Sequence, residues 1–137
     1  MINDRDWQFF DDNGYVLLRG VLAGDHLRQI QQAFDEVWAA EGPPCNQHKL
    51  LRHRPFIELI EHPPIVDQHR AIFGSQTQLL QLDLLRQGPH HEGPERSWHR
   101  DFAFPGTYPL SINTILYLDP MTAERGPTRV LPGSHRG

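Results

Sequence analysis

The sequence contains a single cysteine, no long apolar run and no excess of positive charge. Cys45 alone cannot build an internal disulfide framework or a multi-cysteine zinc site, and we interpret it as a free thiol in a loop. No stretch approaches the roughly 18 consecutive apolar residues that indicate a transmembrane helix. Lysine and arginine number 13 against 17 aspartates and glutamates, for a net charge of −4. Since phosphate binding requires clustered cations, the sequence predicts neither a nucleic-acid nor a membrane partner.

The beginning of the chain also lacks the apolar core of a secretory signal peptide, because residues 1–6 are Met-Ile-Asn-Asp-Arg-Asp. We therefore expect a cytoplasmic protein. A length of 137 residues with a hydrophobic content of 38% predicts one domain over residues 1–137.

Helical patterns dominate the first part of the chain. A short helix is predicted over residues 4–12 and ends before Gly14. A long helix follows, with Asp25 as its predicted N-cap and Gly42 just after its end. The apolar residues of this long helix recur at helical spacing, which predicts a buried face made of Leu27, Ile30, Phe34, Val37 and Trp38.

The remaining segments are shorter. Two short helices are predicted at residues 56–60 and 64–73. Alternating, β-branched or aromatic residues predict strands at residues 15–18, 77–86 and 113–118, with Gly and Pro turns between them. Short strands separated by turns and preceded by helices indicate an all-β sandwich or barrel with a helical N-terminal flank.

One short stretch carries residues suited to metal binding. His99 and Asp101 are spaced i, i+2, which in an extended segment places both side chains on one face. There they could hold two adjacent positions on a divalent metal, as in the two-His-one-carboxylate sites of Fe(II) oxygenases. The spacing alone is weak evidence, because the nine His residues give about 0.7 His-x-Asp matches by chance. His90 and His91 point apart in an extended chain, and we interpret them as solvated.

The context of His99 strengthens the interpretation. The chain reads Trp-His-Arg-Asp at residues 98–101, Leu-Tyr-Leu-Asp at 116–119, Gly-Pro-Thr-Arg at 126–129 and Leu-Pro-Gly-Ser-His at 131–135. This order resembles the phytanoyl-CoA dioxygenase family of iron- and 2-oxoglutarate-dependent oxygenases, and the resemblance covers nearly the whole chain. It implies a double-stranded β-helix, so the expected fold is mainly β with a helical N-terminal flank, forming a partial jelly roll.

The resemblance also implies the chemistry. His99 and Asp101 would bind Fe(II), 2-oxoglutarate would be the co-substrate, and O2 would be used to hydroxylate a small organic substrate. Asp101 favours hydroxylation, since related halogenases have Ala or Gly at this position.

Four further residues are predicted to line the co-substrate pocket. Asn113 and Tyr117 would do so if their face of the 113–118 strand points inward. Gln81 could face the barrel interior or the solvent. Lys49 could contribute a cation to the anionic co-substrate, although a solvated basic loop is the alternative interpretation.

The third metal ligand has no assigned residue. The family's distal His and its 2-oxoglutarate-binding Arg lie on strands after the Pro-Gly-Ser-His turn, which suggests that this domain is truncated at its C-terminus and inactive by itself. Open sheet edges would then favour self-association. We interpret His135 as part of a structural turn, although it could complete the triad instead. A non-catalytic jelly-roll binding protein is the alternative function, and a cupin-type isomerase or hydrolase is disfavoured because the His-x-His pair is missing.

Overall fold

A computed structural model describes residues 2–86, 98–101 and 111–136. Within these residues the chain forms five α-helices, two short strands and three single turns of 3-10 helix. In chain order the elements are α1 (Asp4–Asn13), α2 (Gly24–Glu41), β1 (Cys45–Asn46), α3 (Gln47–Leu50), α4 (Arg54–Ile60), α5 (Pro63–Phe73), a 3-10 turn (Gly74–Gln76), β2 (Asp83–Leu84), and 3-10 turns at Ala123–Arg125 and Ser134–Arg136. In the described part of the chain, no helix is both long and apolar enough to span a membrane.

Helix α1 is delimited by its caps, and its prediction is confirmed. The Asn3 side chain accepts from the Asp6 N–H at 3.0 Å, and the Asp6 carboxylate accepts from the Asn3 N–H at 3.2 Å. This reciprocal pair satisfies two N–H groups that have no partner inside the helix. Gly14 ends the helix at φ 80°, where its N–H donates to the Phe10 carbonyl.

Helix α2 provides most of the core that the apolar pattern predicted, although Leu27 is only half-buried and lies outside the core cluster. Ile30, Phe34 and Val37 are buried, and Trp38 packs against the same cluster. Facing them are Leu50 of α3 and the α4 residues Phe56 and Leu59. Burial of each large side chain contributes about 1.5–3 kcal/mol, so this contact holds the helical layer together. The predicted N-cap was wrong, because the helix begins at Gly24 and Asp25 pairs with Arg28 in its first turn.

Helices α4 and α5 confirm the predictions at residues 56–60 and 64–73. α4 and α5 each have a proline in their first two positions, where a missing N–H removes no helical hydrogen bond. Gly74 ends α5 at φ 75°.

The expectation of a mainly β fold is wrong for the described chain, about half of which is helical. Its only strands, β1 and β2, have two residues each and pair antiparallel, Cys45 with Leu84 and Asn46 with Asp83. The predicted strands at 15–18 and 113–118 form no ladder, and only two residues of 77–86 do. The physical reason is that alternation of apolar residues specifies a buried face, whereas a strand also requires a neighbouring backbone to pair with.

The 111–118 segment nevertheless has two distinct sides. Leu116 and Leu118 pack against the helical core, and the Leu118 carbonyl accepts from Gln31 of α2 at 2.6 Å. The Thr114 hydroxyl contacts His69 Nε2 of α5 at 3.0 Å. Alternating contacts of this kind are those of an extended chain. One side of the segment therefore rests on α2 and α5, and the other side is open for the candidate site.

Candidate metal centre

His99 and Asp101, the residues predicted to bind metal, are in direct contact. His99 Nε2 lies 3.0 Å from Asp101 Oδ1, and the two side chains are 57% and 51% exposed. An ion from solvent can therefore reach both atoms. Imidazole nitrogen and carboxylate oxygen are donors that transition metals accept, so the pair can present one donor of each kind to one ion.

Asn113 sets the orientation of the Asp101 carboxylate. Its Nδ2 donates a hydrogen bond to Asp101 Oδ2, while Oδ1 of the same carboxylate faces His99. Hydrogen bonds of this kind orient ligating carboxylates and affect how strongly they hold a metal. The sequence grouped His99, Asp101 and Asn113 at one site, and the structure brings these three side chains together.

Two contacts missed by sequence reasoning also hold the 98–101 stretch. Arg100 Nη2 donates to the Ser134 carbonyl at 2.8 Å. The Arg129 guanidinium lies 5.5 Å from the centre of the Trp98 ring, within the range of a cation–π contact. No local pattern could have indicated either pair, since the partners are more than 30 residues apart.

The donor set fits part of an Fe(II) site. An imidazole and a carboxylate are two of the three ligands in the two-His-one-carboxylate set. Among residues 2–86, 98–101 and 111–136, no group of three or more His, Cys, Asp or Glu side chains could hold a metal. The described residues therefore offer at most two candidate ligands at this place, His99 and Asp101. His90 and His91, interpreted from sequence as solvated, lie outside the described residues.

His135 lies against the end of α1. Its Nε2 is 3.0 Å from the Asp11 carbonyl oxygen, which can only accept, so Nε2 is the donor. Its Nδ1 packs against Gly14, where an added Cβ would lie 2.4 Å away. Residues 132 and 133 form a turn that leads into the 3-10 helix Ser134–Arg136. Nε2 thus contacts α1, and Nδ1 lies beside the glycine that ends this helix.

Lys49 lies at the C-terminal end of α2. Its half-buried ammonium donates to the carbonyls of Glu41 and Gly42, both at 3.0 Å. A cation stabilises this end of a helix, because the last carbonyls have no intrahelical partner. The contacts of Lys49 are therefore those of a helix cap.

Gln81 and Tyr117 also have partners outside the His99–Asp101 pair. Gln81 is exposed and donates through Nε2 to Asp83 Oδ2. The Tyr117 hydroxyl accepts from the Thr128 N–H at 2.9 Å. The turn between Tyr117 and Thr128 contains Glu124. Hydrogen bonds from the Thr122 side chain and from the backbone N–H of Glu124 lower the pKa of its carboxyl.

Two open clefts are lined by residues of the N-terminal half, and neither lining includes a residue predicted for the site. One, of about 350 Å³, lies between residues 17–21 and α5. The other, of about 420 Å³, lies between α2 and α4. Neither cleft therefore forms part of the candidate site.

Comparison with known proteins gives consistent results. The family model of phytanoyl-CoA dioxygenase (PhyH) matches residues 10–137. L-Proline trans-4-hydroxylase of Streptomyces griseoviridis is 34% identical over 87 residues, which cover 58% of this chain and 31% of that protein. Ectoine dioxygenase of Sphingopyxis alaskensis is 25% identical over 157 aligned positions, which cover 98% of this chain and 50% of that protein. The chain thus spans half the length of these curated relatives or less. No solved structure gives a significant match.

Proposed function

Because the chain belongs to the phytanoyl-CoA dioxygenase family, we propose that it carries two of the three iron ligands of a 2-oxoglutarate-dependent hydroxylase. The main support for this proposal is the 3.0 Å contact between His99 Nε2 and Asp101 Oδ1 on an exposed stretch of chain. The names of both relatives, a hydroxylase and a dioxygenase, support oxygenase chemistry.

Each residue of the site has a defined task in this proposal. Bound Fe(II), with 2-oxoglutarate and O2, supplies the oxidising power to hydroxylate a C–H bond. In the contact with Asp101, His99 Nε2 is the donor. With the ion bound, Nε2 would instead bind the ion as a neutral nitrogen, and the imidazole proton would be carried on Nδ1. Asp101 provides Oδ1, and Asn113 holds the other carboxylate oxygen so that Oδ1 stays directed toward His99.

The co-substrate pocket is proposed on the open side of the 111–118 segment. Asn113 and Tyr117 alternate with the residues that pack on the helices, so both lie on the open side. The contacts of Lys49 and Gln81 with their own neighbours favour structural roles for these two residues. We therefore assign the pocket to Asn113 and Tyr117, and His135 to a structural turn.

The substrate class follows from the relatives only as a proposal. Their names refer to L-proline and ectoine, and we propose a small organic molecule of comparable size for this chain. A panel that contains both compounds, with 2-oxoglutarate as the common co-substrate, is the first test of substrate preference.

The metal assignment is tested by metal analysis after anaerobic loading with Fe(II). We expect weak retention by the chain, because the described residues supply two ligands. His99→Ala and Asp101→Ala should each abolish it, since one remaining ligand is too few. His48→Ala is the matched control, because His48 is an exposed histidine on α3. Equal iron content in the wild-type chain and both site variants would contradict the assignment.

Catalysis is tested by measuring succinate formed from 2-oxoglutarate in the presence of Fe(II) and ascorbate. We expect the 137-residue chain alone not to couple this reaction to substrate oxidation. Catalytic succinate formation that is lost in His99→Ala would instead show that a third ligand lies within this chain. His135→Ala would then identify whether His135 is that ligand. Iron-independent binding of a small molecule without succinate would favour the non-catalytic alternative.

A further inference from the structure

The turn at residues 132–136, called here the 132–136 turn, is docked on the end of α1. The Gly133 N–H donates to the Asn13 carbonyl at 2.9 Å. His135 Nε2 and Arg136 Nη2 both donate to the Asp11 carbonyl, at 3.0 and 2.7 Å. The last carbonyls of an α-helix have no partner within the helix. The 132–136 turn therefore supplies partners for the Asp11 and Asn13 carbonyls from more than 100 residues away.

The charges of the two elements are complementary. α1 has no basic residue in its last turn, where Asp11 and Asp12 add negative charge to the negative end of the helix dipole. That arrangement is unfavourable for an isolated helix. Arg136 supplies the missing cation, with Nη2 at 3.4 Å from Asp11 Oδ2 and 3.6 Å from Asp12 Oδ1.

The His135 ring lies close to Gly14 at this contact. Gly14 has φ 80°, a conformation that side chains rarely adopt. A Cβ at Gly14 would also lie 2.4 Å from His135 Nδ1, much closer than atoms tolerate. Glycine is required here both for backbone conformation and for the approach of the 132–136 turn.

The other side of the turn reaches the candidate metal ligands. Arg100 lies between His99 and Asp101 in the chain, and its Nη2 donates to the Ser134 carbonyl at 2.8 Å. A continuous set of contacts therefore runs from α1 through the 132–136 turn and Arg100 to the two ligands.

We propose that the 132–136 turn positions the metal ligands, with Arg100 as the positioning residue that connects them to α1. The proposal rests on the proposed function in one respect, since it takes His99 and Asp101 as ligands. It gives the Pro-Gly-Ser-His motif a role without making His135 a ligand. Disrupting either end of the turn should loosen the His99–Asp101 pair.

The Arg100 end is tested by replacing the donor and measuring Co(II) affinity by anaerobic titration. Arg100→Met keeps an unbranched apolar side chain and removes the guanidinium donor, and we expect about tenfold weaker binding, as for other groups that orient metal ligands. Arg125→Met is the matched control, because exposed Arg125 also donates to a backbone carbonyl, that of Pro120, at 3.1 Å. Arg100→Lys, which can still donate one hydrogen bond, should recover part of the affinity.

The α1 end is tested by Gly14→Ala, which introduces the clash with His135. Gly20→Ala is the matched control, since Gly20 also has positive φ, at 70°, but nothing lies within 4 Å of its added Cβ. We expect weaker Co(II) binding only in Gly14→Ala. Circular dichroism checks that both variants keep their helices, and thermal unfolding separates a loss of affinity from a general loss of stability.

The outcomes separate this proposal from the proposed function. Equal Co(II) affinity in Arg100→Met and Arg125→Met, in a chain that does bind Co(II), would overturn the positioning role and leave the metal assignment intact. A wild-type chain that binds no Co(II) would contradict the metal assignment. In that case amide hydrogen exchange of residues 98–101 decides: faster exchange in Arg100→Met and Gly14→Ala than in their controls supports the positioning role, and unchanged exchange refutes it.

Discussion

Asn113→Leu tests most directly how the candidate metal site is held. Leucine has nearly the size and shape of asparagine but cannot donate to Asp101 Oδ2. Loss of a group that orients a metal ligand costs about 10- to 100-fold in affinity. Because the Asp101 side chain is 51% exposed, water replaces part of the lost hydrogen bond. We therefore expect the lower end of that range, about tenfold in Co(II) affinity, or about 1.4 kcal/mol.

Thr114→Val is the control variant, since it also removes one hydrogen bond from the neighbouring position. Thr114 faces the other side of the segment, where its hydroxyl contacts His69 Nε2. The Thr114–His69 bond joins the segment to α5. Its loss should lower the free energy of unfolding by about 0.5–1.5 kcal/mol and leave Co(II) affinity unchanged.

The two variants are compared by isothermal titration with Co(II) under anaerobic conditions and by urea unfolding of the metal-free chain. We expect opposite patterns, with Co(II) affinity lost in Asn113→Leu and stability lost in Thr114→Val. Identical affinities in the two variants would refute the assignment of Asn113 as the residue that holds Asp101.

Two further predictions concern stability and assembly. Lys49→Met should lower the free energy of unfolding by about 1–2 kcal/mol in urea denaturation, because the carbonyls of Glu41 and Gly42 lose a charged donor; unchanged stability would contradict the cap. The wild-type chain should self-associate with rising concentration in sedimentation velocity, and Leu85→Lys should reduce this, because Leu85 directly follows β2 and is 83% exposed; a monomer at every concentration would show the expectation to be wrong.

Four of the five helices in the described residues could be predicted because their signals are local, whereas α3 (Gln47–Leu50) lies in a segment that was interpreted as a basic loop. Gly14 and Gly42 mark the ends of α1 and α2 through their positive φ, and the apolar spacing of α2 identified its buried face. Asp25 was wrong as an N-cap. Asp25 in the first turn suits the positive end of the helix dipole, and its carboxylate is bonded to Arg28. An acidic residue near the start of a helix thus indicates that a helix is present, but it does not identify the residue at which the helix begins.

The sheet could not be predicted for a different reason. Alternation grouped Leu82 with Leu84 and Leu116 with Leu118, and all four pack on the helical core. It also put Leu80 on the face of Leu82, but Leu80 is 57% exposed. It gave no information on backbone partners, so residues 113–118 were predicted as a strand although they form no ladder. The pairing of residues 45–46 with 83–84 was missed because it joins segments far apart in sequence.

Some residues of the candidate site could be predicted from local patterns, and others could not. The i, i+2 spacing indicated His99 and Asp101, and the alternation of the 113–118 segment indicated Asn113. The contribution of Arg100 depends on the position of the Ser134 carbonyl, which no local pattern encodes.

Helix α2 also provides two contact points for the segments that flank the candidate ligands. Arg86 pairs with Asp35 and covers the Phe34 ring at 4.9 Å, whereas the Leu118 carbonyl is held by Gln31. Gln31 and Asp35 are four residues apart, a separation of about 6 Å along a helix. Arg86 and Leu118 thus contact α2 at points one helical turn apart. Both points belong to one helix, so the helix geometry sets their separation. An insertion of one residue between Gln31 and Asp35 would rotate one contact point by about 100° relative to the other.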